Sequence, residues 1–160
     1  RKLMKFLIPA CLFLVVSCAP EPAPVITEFR AQSGNPAPRV AAYCVAQKGR
    51  KVGNGECWTL ADEAFKSAGA RRPGRDMRVW GRRVDPAKEA IKPGDIVEFQ
   101  SARFSDGIIT GSAHTAVVVK GGGREGFTIA EQNWGRKTVR LREMSLTTLV
   151  SGKVMVYRPG

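Results

Sequence analysis

The sequence predicts an α+β domain, on three observations. Two stretches with apolar residues at helical spacing come first, near residues 38–48 and 57–68. Runs rich in Val, Ile and Phe, alternating or continuously apolar, fill the second half from Ile96 onward. Helices first and an antiparallel meander of strands after them is an α+β order. At 160 residues the chain holds one domain with a proper core, not two.

The first helix is predicted from about Pro38 to Lys48, after the turn-forming Asn35-Pro36, with Val40, Ala41, Cys44 and Val45 at helical spacing. Gly53-Asn54-Gly55 then turns the chain into a second helix that starts at Cys57. Ala61, Ala64, Phe65 and Ala68 form its inner face, Lys66 stands in its last turn and Gly69 stops it. Residues 70–92 carry no clean period. Arg71, Arg72, Arg75, Arg78, Arg82 and Arg83 crowd there with Trp80, against Asp76 and Asp85. That segment reads either as a solvated basic loop or as a lip for an anionic substrate. Pro93-Gly94-Asp95 is a turn, and Ile96-Val97-Glu98-Phe99 opens the sheet. Ala113 to Lys120 is a strand, Gly121-Gly122-Gly123 turns the chain, and Phe127 to Asn133 returns. Thr138 to Leu141 and Lys153 to Tyr157 supply two more strands, with a short helical turn near Ser145 to Val150.

Lys and Arg total 26 against 14 Asp and Glu, for a net charge of +12. Arg1, Lys2 and Lys5 precede Cys18 with no acid among them, which leaves +9 beyond it. Such a surplus favours anionic partners. The N-terminus narrows the choice. A basic start, the apolar run Phe6 to Val16 and the small residues Ser17-Cys18-Ala19 make a secretory signal, and the run is too short to span a bilayer. Val15-Val16-Ser17-Cys18 resembles a bacterial lipoprotein box. That resemblance implies a signal peptide over residues 1–17, lipidation of Cys18, and a Pro/Ala-rich tether over 18–37 that holds a domain of residues 38–160 off a membrane. The expected location is the cell envelope, facing the periplasm or the exterior, with no nucleic acid as partner. Export leaves Cys44 and Cys57 as the available thiols. A bridge between them is one possibility in an oxidising compartment, and two separate thiols are the other.

Cys57 stands at a helix N-terminus, where free N–H groups and the positive end of the macrodipole favour thiolate. Gly53 and Gly55 would let a substrate backbone approach it. The bland alternative is a small buried hydrophobe. His114 is the sole histidine and opens a strand. If the triple glycine closes a hairpin centred near Gly122 and Gly123, Glu131 comes opposite His114, and Asn133 leaves the same strand on the same face. Thiol, imidazole and a polar orienter form the cysteine version of a nucleophile–base–orienter triad, with the Cys57 N–H as an oxyanion donor. One histidine and two available cysteines are too few for a structural zinc site, and no GxSxG elbow or phosphate-cradling loop is present.

The strings GNGECWTLADEA, WGRRV, KPGDIVEF, HTAVVV and EQN, in that order, resemble amidase and endopeptidase domains of the NlpC/P60 and CHAP superfamily. The resemblance covers about residues 38–160. It implies a papain-like α+β fold, N-terminal helices packed on an antiparallel sheet, and hydrolysis of peptide or sugar–peptide amide bonds in peptidoglycan. It places the nucleophile on Cys57, the base on His114 and the third polar residue on Glu131, with Asn133 beside it. Gly55, Glu56, Trp58, Trp80, Arg82 and Trp134 are the expected substrate contacts, although Trp58, one step after the nucleophile, is better placed to pack under it. No cofactor is expected: the loop Lys48 to Asn54 lacks the carboxylates with which some CHAP domains bind calcium. A monomer is expected, with peptidoglycan and a membrane as partners. Two rivals remain at this point: an amidase for some other amide, since fold does not fix substrate, and an envelope lipoprotein that binds without cutting.

Overall fold

A computed structural model describes residues 34–160. The expected signal sequence, the Cys18 lipidation site and most of the tether lie outside the described residues. Two helices, α1 (Ala37–Ala46) and α2 (Cys57–Ala68), precede six strands: β1 (Arg82–Val84), β2 (Ile96–Phe104), β3 (His114–Lys120), β4 (Phe127–Glu131), β5 (Arg140–Met144) and β6 (Leu149–Arg158). Among the described residues, no helix is long and apolar enough to cross a membrane.

Local chemistry sets the helix ends. The Ala37 N–H donates to Asn35 Oδ1 at 3.0 Å, and Pro38 in the first turn gives up an N–H that would have no helical partner. Before α2, Asn54 Oδ1 accepts the Glu56 N–H at 2.9 Å and the Thr59 hydroxyl at 2.7 Å, so the first turn is anchored from two residues outside it. Gly69 ends α2 with φ +68°, a left-handed cap that a residue with a Cβ adopts only at a cost.

The strands form one antiparallel sheet in the order β1-β6-β2-β3-β4-β5. The run β2 to β5 is the expected meander. The pure meander fails at its end, because β6 crosses back to pair with β2 and β1 joins beyond it. β1 is three residues inside the arginine-rich segment with Val84 alone buried, which is why no period betrays it. In place of the expected helical turn near Ser145 to Val150 there is a single turn, closed by Leu149 N–H on Leu146 O at 3.3 Å, that leads straight into β6 at Leu149. Pairing with β2 from Ile96↔Tyr157 to Phe104↔Leu149 satisfies more backbone than one helical turn would. That ladder shifts register between Gln100 and Phe104, where Ser101 takes φ +48°.

Both faces of the sheet are covered. Ile96, Val117 and Ala130 pack with Val40, Cys44, Leu60, Ala61, Ala64 and Phe65 of the helices. Val97, Phe99, Ala116, Val118 and Ile129 pack with Phe104, Phe127, Met144 and Val156 on the other face. Successive residues of β3 therefore serve two apolar layers, and each fully buried Val, Leu or Ile contributes about 1.5–3 kcal/mol. Cys44 and Cys57 are both free thiols, Cys44 buried on the inner face of α1, so the 44–57 bridge does not form.

Candidate active site

The β3–β4 hairpin brings the base and its partner together by a different register from the expected one. Val117 pairs with Ala130 and Val118 with Ile129, which sets Ala116, not His114, opposite Glu131. The closing turn lies at Gly123 to Gly126, while Gly122 is held by mutual backbone bonds to Ile91 at 3.0 and 3.1 Å. A slip of two residues preserves the face, so Glu131 still reaches His114 along the diagonal. His114 Nε2 and Glu131 Oε2 are 2.8 Å apart.

Glu131 is fully buried and serves three cations. Arg142 donates to both carboxylate oxygens, at 2.7 and 3.0 Å, and Arg140 to Oε1 at 3.0 Å. Burial pushes the Glu131 carboxyl upward, but the bonds from His114 and Arg142 outweigh it and hold the group at about 2. Burial likewise works against a charged His114, yet hydrogen bonds to Cys57 and Glu131 raise it to about 9. With Nε2 committed to Glu131, Nδ1 is left for the thiol. Trp134 stands edge-on to the His114 ring at 5.5 Å, and the Arg140 and Arg142 guanidinium groups each lie 5.2 Å from its own centroid.

Half-buried Cys57 lines the cleft beside His114, with the Thr115 and Trp58 N–H groups close enough to favour its thiolate. Burial raises the thiol; those contacts, His114 foremost, bring it below the ordinary thiol value. Sulfur, imidazole and carboxylate thus stand in sequence from the start of α2 to the end of β4, with the imidazole hydrogen-bonded to the carboxylate.

Gln132 was given no role in the sequence reading, although it lies inside the string EQN. It is fully buried. Its Oε1 accepts the Val52 N–H at 3.2 Å, and its Nε2 donates to Val52 O at 3.0 Å and Glu56 O at 2.7 Å. Strand alternation sends Glu131 to the histidine and Gln132 to the loop that carries Cys57. That alternation was the available signal. Gln132→Ala strands the buried Val52 N–H, a cost of about 1–3 kcal/mol, while Val52 O keeps the Gly55 N–H and Glu56 O keeps the Thr59 N–H and hydroxyl. The expected result is a lower urea midpoint and slower thiol alkylation, both read on the same preparation.

The cleft above the sulfur has a volume of about 390 Å³ and is lined by Glu56, Cys57, Ile109, His114, Asn133, Trp134 and neighbouring small residues. Asn133, at φ +64°, donates to Glu56 Oε2 at 2.7 Å, so its side chain serves Glu56 and does not orient His114. Lys137 Nζ lies 2.8 Å from Glu56 Oε1. Glu56 and Trp134 line the cleft as expected, and Gly55 lies in the turn just before it. Three other expected contacts fall elsewhere. Trp58 packs against the helix-side core. Trp80 is fully buried there, edge-on to Phe65 at 5.1 Å and capped by Arg72 at 3.6 Å. Arg82 belongs to β1 and pairs with Glu89 at 2.6 Å. An aromatic and a nearby arginine in an aperiodic segment look alike whether they face a cleft or a core.

Beneath the site, Glu98 Oε1 accepts from Trp80 Nε1 at 2.6 Å and from the Thr115 hydroxyl at 2.8 Å, while buried Oε2 has no partner among the described residues. Burial pushes this carboxyl up. No cluster of three His, Cys, Asp or Glu side chains among the described residues suits a metal ion.

The model of the AIM3/BBC1 cysteine proteinase-fold domain matches residues 16–160. The chain belongs to that family. A relative within reach of direct comparison is the Debaryomyces hansenii "Altered inheritance of mitochondria protein 3", 30% identical over 159 residues. The match takes in 85% of this chain and 17% of that protein, so the chain spans about a sixth of its relative's length. AIM3/BBC1 membership carries the cysteine proteinase fold, in keeping with the α+β architecture and with Cys57 at a helix start. It does not carry the CHAP or NlpC/P60 label, nor a bacterial lipoprotein.

Proposed function

We propose that this domain is a cysteine peptidase or amidase, with Cys57 as nucleophile, His114 as proton carrier and Glu131 as the group that orients His114. The unbroken contact chain Cys57–His114–Glu131, opening on a cleft, is the observation that carries the reading. The thiolate attacks the carbonyl carbon, and the developing oxyanion meets the Cys57 N–H, which has no helical partner at the first position of α2. His114, protonated and held by Glu131, gives its proton to the departing amine, and the acyl group stays on sulfur. Water then attacks, with His114 as base, and frees the acid and the thiol.

The cell-wall substrate and lipid anchor expected from the resemblance gain no support from a relative in Debaryomyces hansenii. The substrate is therefore proposed as an amide whose carbonyl reaches the sulfur, with no polymer specified.

Iodoacetamide alkylation against pH tests the reading. A free thiol is only a few per cent ionised at neutral pH. Here the ion pair exists between the depressed Cys57 value and about 9 for His114, so labelling should set in below the ordinary thiol value and level off before about 9. A single rise with a midpoint at the ordinary thiol value near 8.5 would refute the activated thiol.

A further inference from the structure

We propose that the cleft takes acidic substrates, namely a peptide segment whose carboxylates lie along a basic strip beside its mouth. This rests on the function proposed above and goes on to the charge of the substrate. The strip is built from two segments joined by backbone bonds. Gly49 donates to Val139 O and Val139 donates to Arg50 O, both at 2.8 Å, and Lys48 bridges to Val139. Lys48, Arg50 and Lys51 stand on one segment, Arg136, Lys137 and Arg140 on the other, with no acid in residues 47–55 or 132–140.

The strip reaches the nucleophile. A Cβ placed on Gly55, two residues before Cys57, would meet Lys137 Cβ at 2.8 Å and Lys51 Cε at 3.1 Å. On the other side Gly135 lines the cleft and Arg136 follows it. Two carboxylates offset the strip: Glu56 on Lys137 and buried Glu131 on Arg140, each at 2.8 Å. Lys48, Arg50, Lys51 and Arg136 are exposed and have no carboxylate partner among the described residues. Clustered like charges repel, and an anionic ligand relieves that.

In the arginine-rich segment, Arg72 is paired with Asp62 and Arg82 with Glu89, while Arg71, Arg75, Arg78 and Arg83 are exposed without a carboxylate partner among the described residues and none of them lines the cleft. Asp106, Glu125 and Glu143 gather around the far end of the β3–β4 hairpin, away from His114. Those acids leave the cleft end of the hairpin the more basic of its two ends. The opposite lip carries exposed Ile109 and half-buried Ala113, so the groove has a basic strip flanking its mouth on one side and an apolar lip on the other. A peptide fits strip and lip together and presents a carbonyl to the sulfur. A polynucleotide or a lipid surface satisfies the charge but not the cleft.

The test uses two short peptides with an internal vinyl sulfone, one flanked by Glu and one by Lys, each rate divided by the iodoacetamide rate on the same protein. We expect the Glu probe to label Cys57 roughly tenfold faster at low salt, within the range of electrostatic steering. The advantage should shrink at 1 M salt, where the Debye length is about 3 Å. In Lys51→Glu/Arg136→Glu the preference should invert. Equal rates for the two probes, with iodoacetamide still reacting, overturn the proposal and leave the cysteine hydrolase standing. Single-stranded DNA or phosphatidylserine vesicles bound in a manner lost in the double variant, with no peptide preference, also overturn it. If iodoacetamide does not react, the hydrolase reading fails instead. Anisotropy of a fluorescein-labelled Glu-rich peptide then decides the charge proposal alone, with loss of binding in the double variant supporting it and no binding to the native protein ending it.

Discussion

With Cys11 and Cys18 replaced by serine, so that only Cys44 and Cys57 carry thiols, Cys57→Ala should abolish alkylation of the native protein and any hydrolysis it performs, while the melting transition barely moves. The expected loss of rate is several orders of magnitude, because no other group near His114 can form the acyl bond. Cys44 does not confuse the reading. It is buried against the helix-side core, and burial pushes its thiol far up, so it reacts only after unfolding. Mass analysis of the intact protein after iodoacetamide, native and denatured, separates the two thiols. Labelling that persists in the native variant, or hydrolysis equal to that of the parent, would remove Cys57 as nucleophile.

Glu131→Gln should be the most damaging isosteric change in the domain. It keeps the shape but leaves Arg140, Arg142 and a protonated His114 around a neutral amide. Breaking a buried pair from one side costs about 3–5 kcal/mol. The direction with pH follows from the two shifts. The Glu131 carboxyl is held at about 2, below its ordinary 4.5, so its contribution is complete above 4.5 and is lost as pH falls toward 2. His114 is raised from 6.5 to about 9, so its contribution is complete below 6.5 and is lost as pH rises through 9. The native protein is therefore most stable, on these two groups, between about 4.5 and 6.5. Urea melts of the variant across pH should lose the acid dependence. Its alkaline limb for alkylation should move down from about 9 toward the ordinary histidine value. An unchanged alkaline limb would mean that Glu131 does not set the state of His114.

Periodicity exposed the parts of the fold that bury one face at a time. The 3.6-residue spacing of Ala61, Ala64, Phe65 and Ala68, with Gly69 beyond them, marked α2 to the residue at its C-terminus. β3 and β4 were legible as apolar runs around a glycine turn. β1 was not, because three residues in a crowd of arginines carry no repeat, and neither was the return of β6 to β2, which is a long-range choice. At the site, the pairing of His114 with Glu131 was reached through a register wrong by two residues, and the period of two in a strand made the error harmless. The role of Asn133 was misread because its left-handed backbone swings the side chain toward Glu56, which alternation along a regular strand does not foresee. Arg140 and Arg142 were invisible for another reason: on an edge strand, an arginine bound to a buried carboxylate has the same spelling as one in water.

Glu131 and Gln132 are consecutive residues of one chain segment, one gripping the imidazole and the other the loop that carries the thiol. The spacing between the two reactive atoms is therefore referred to a single peptide unit, whose length does not vary. Breathing of the helices against the sheet carries thiol and imidazole along together. A lost or gained residue at this point would exchange the two grips, so the alignment of the pair would fail as a whole rather than by degrees.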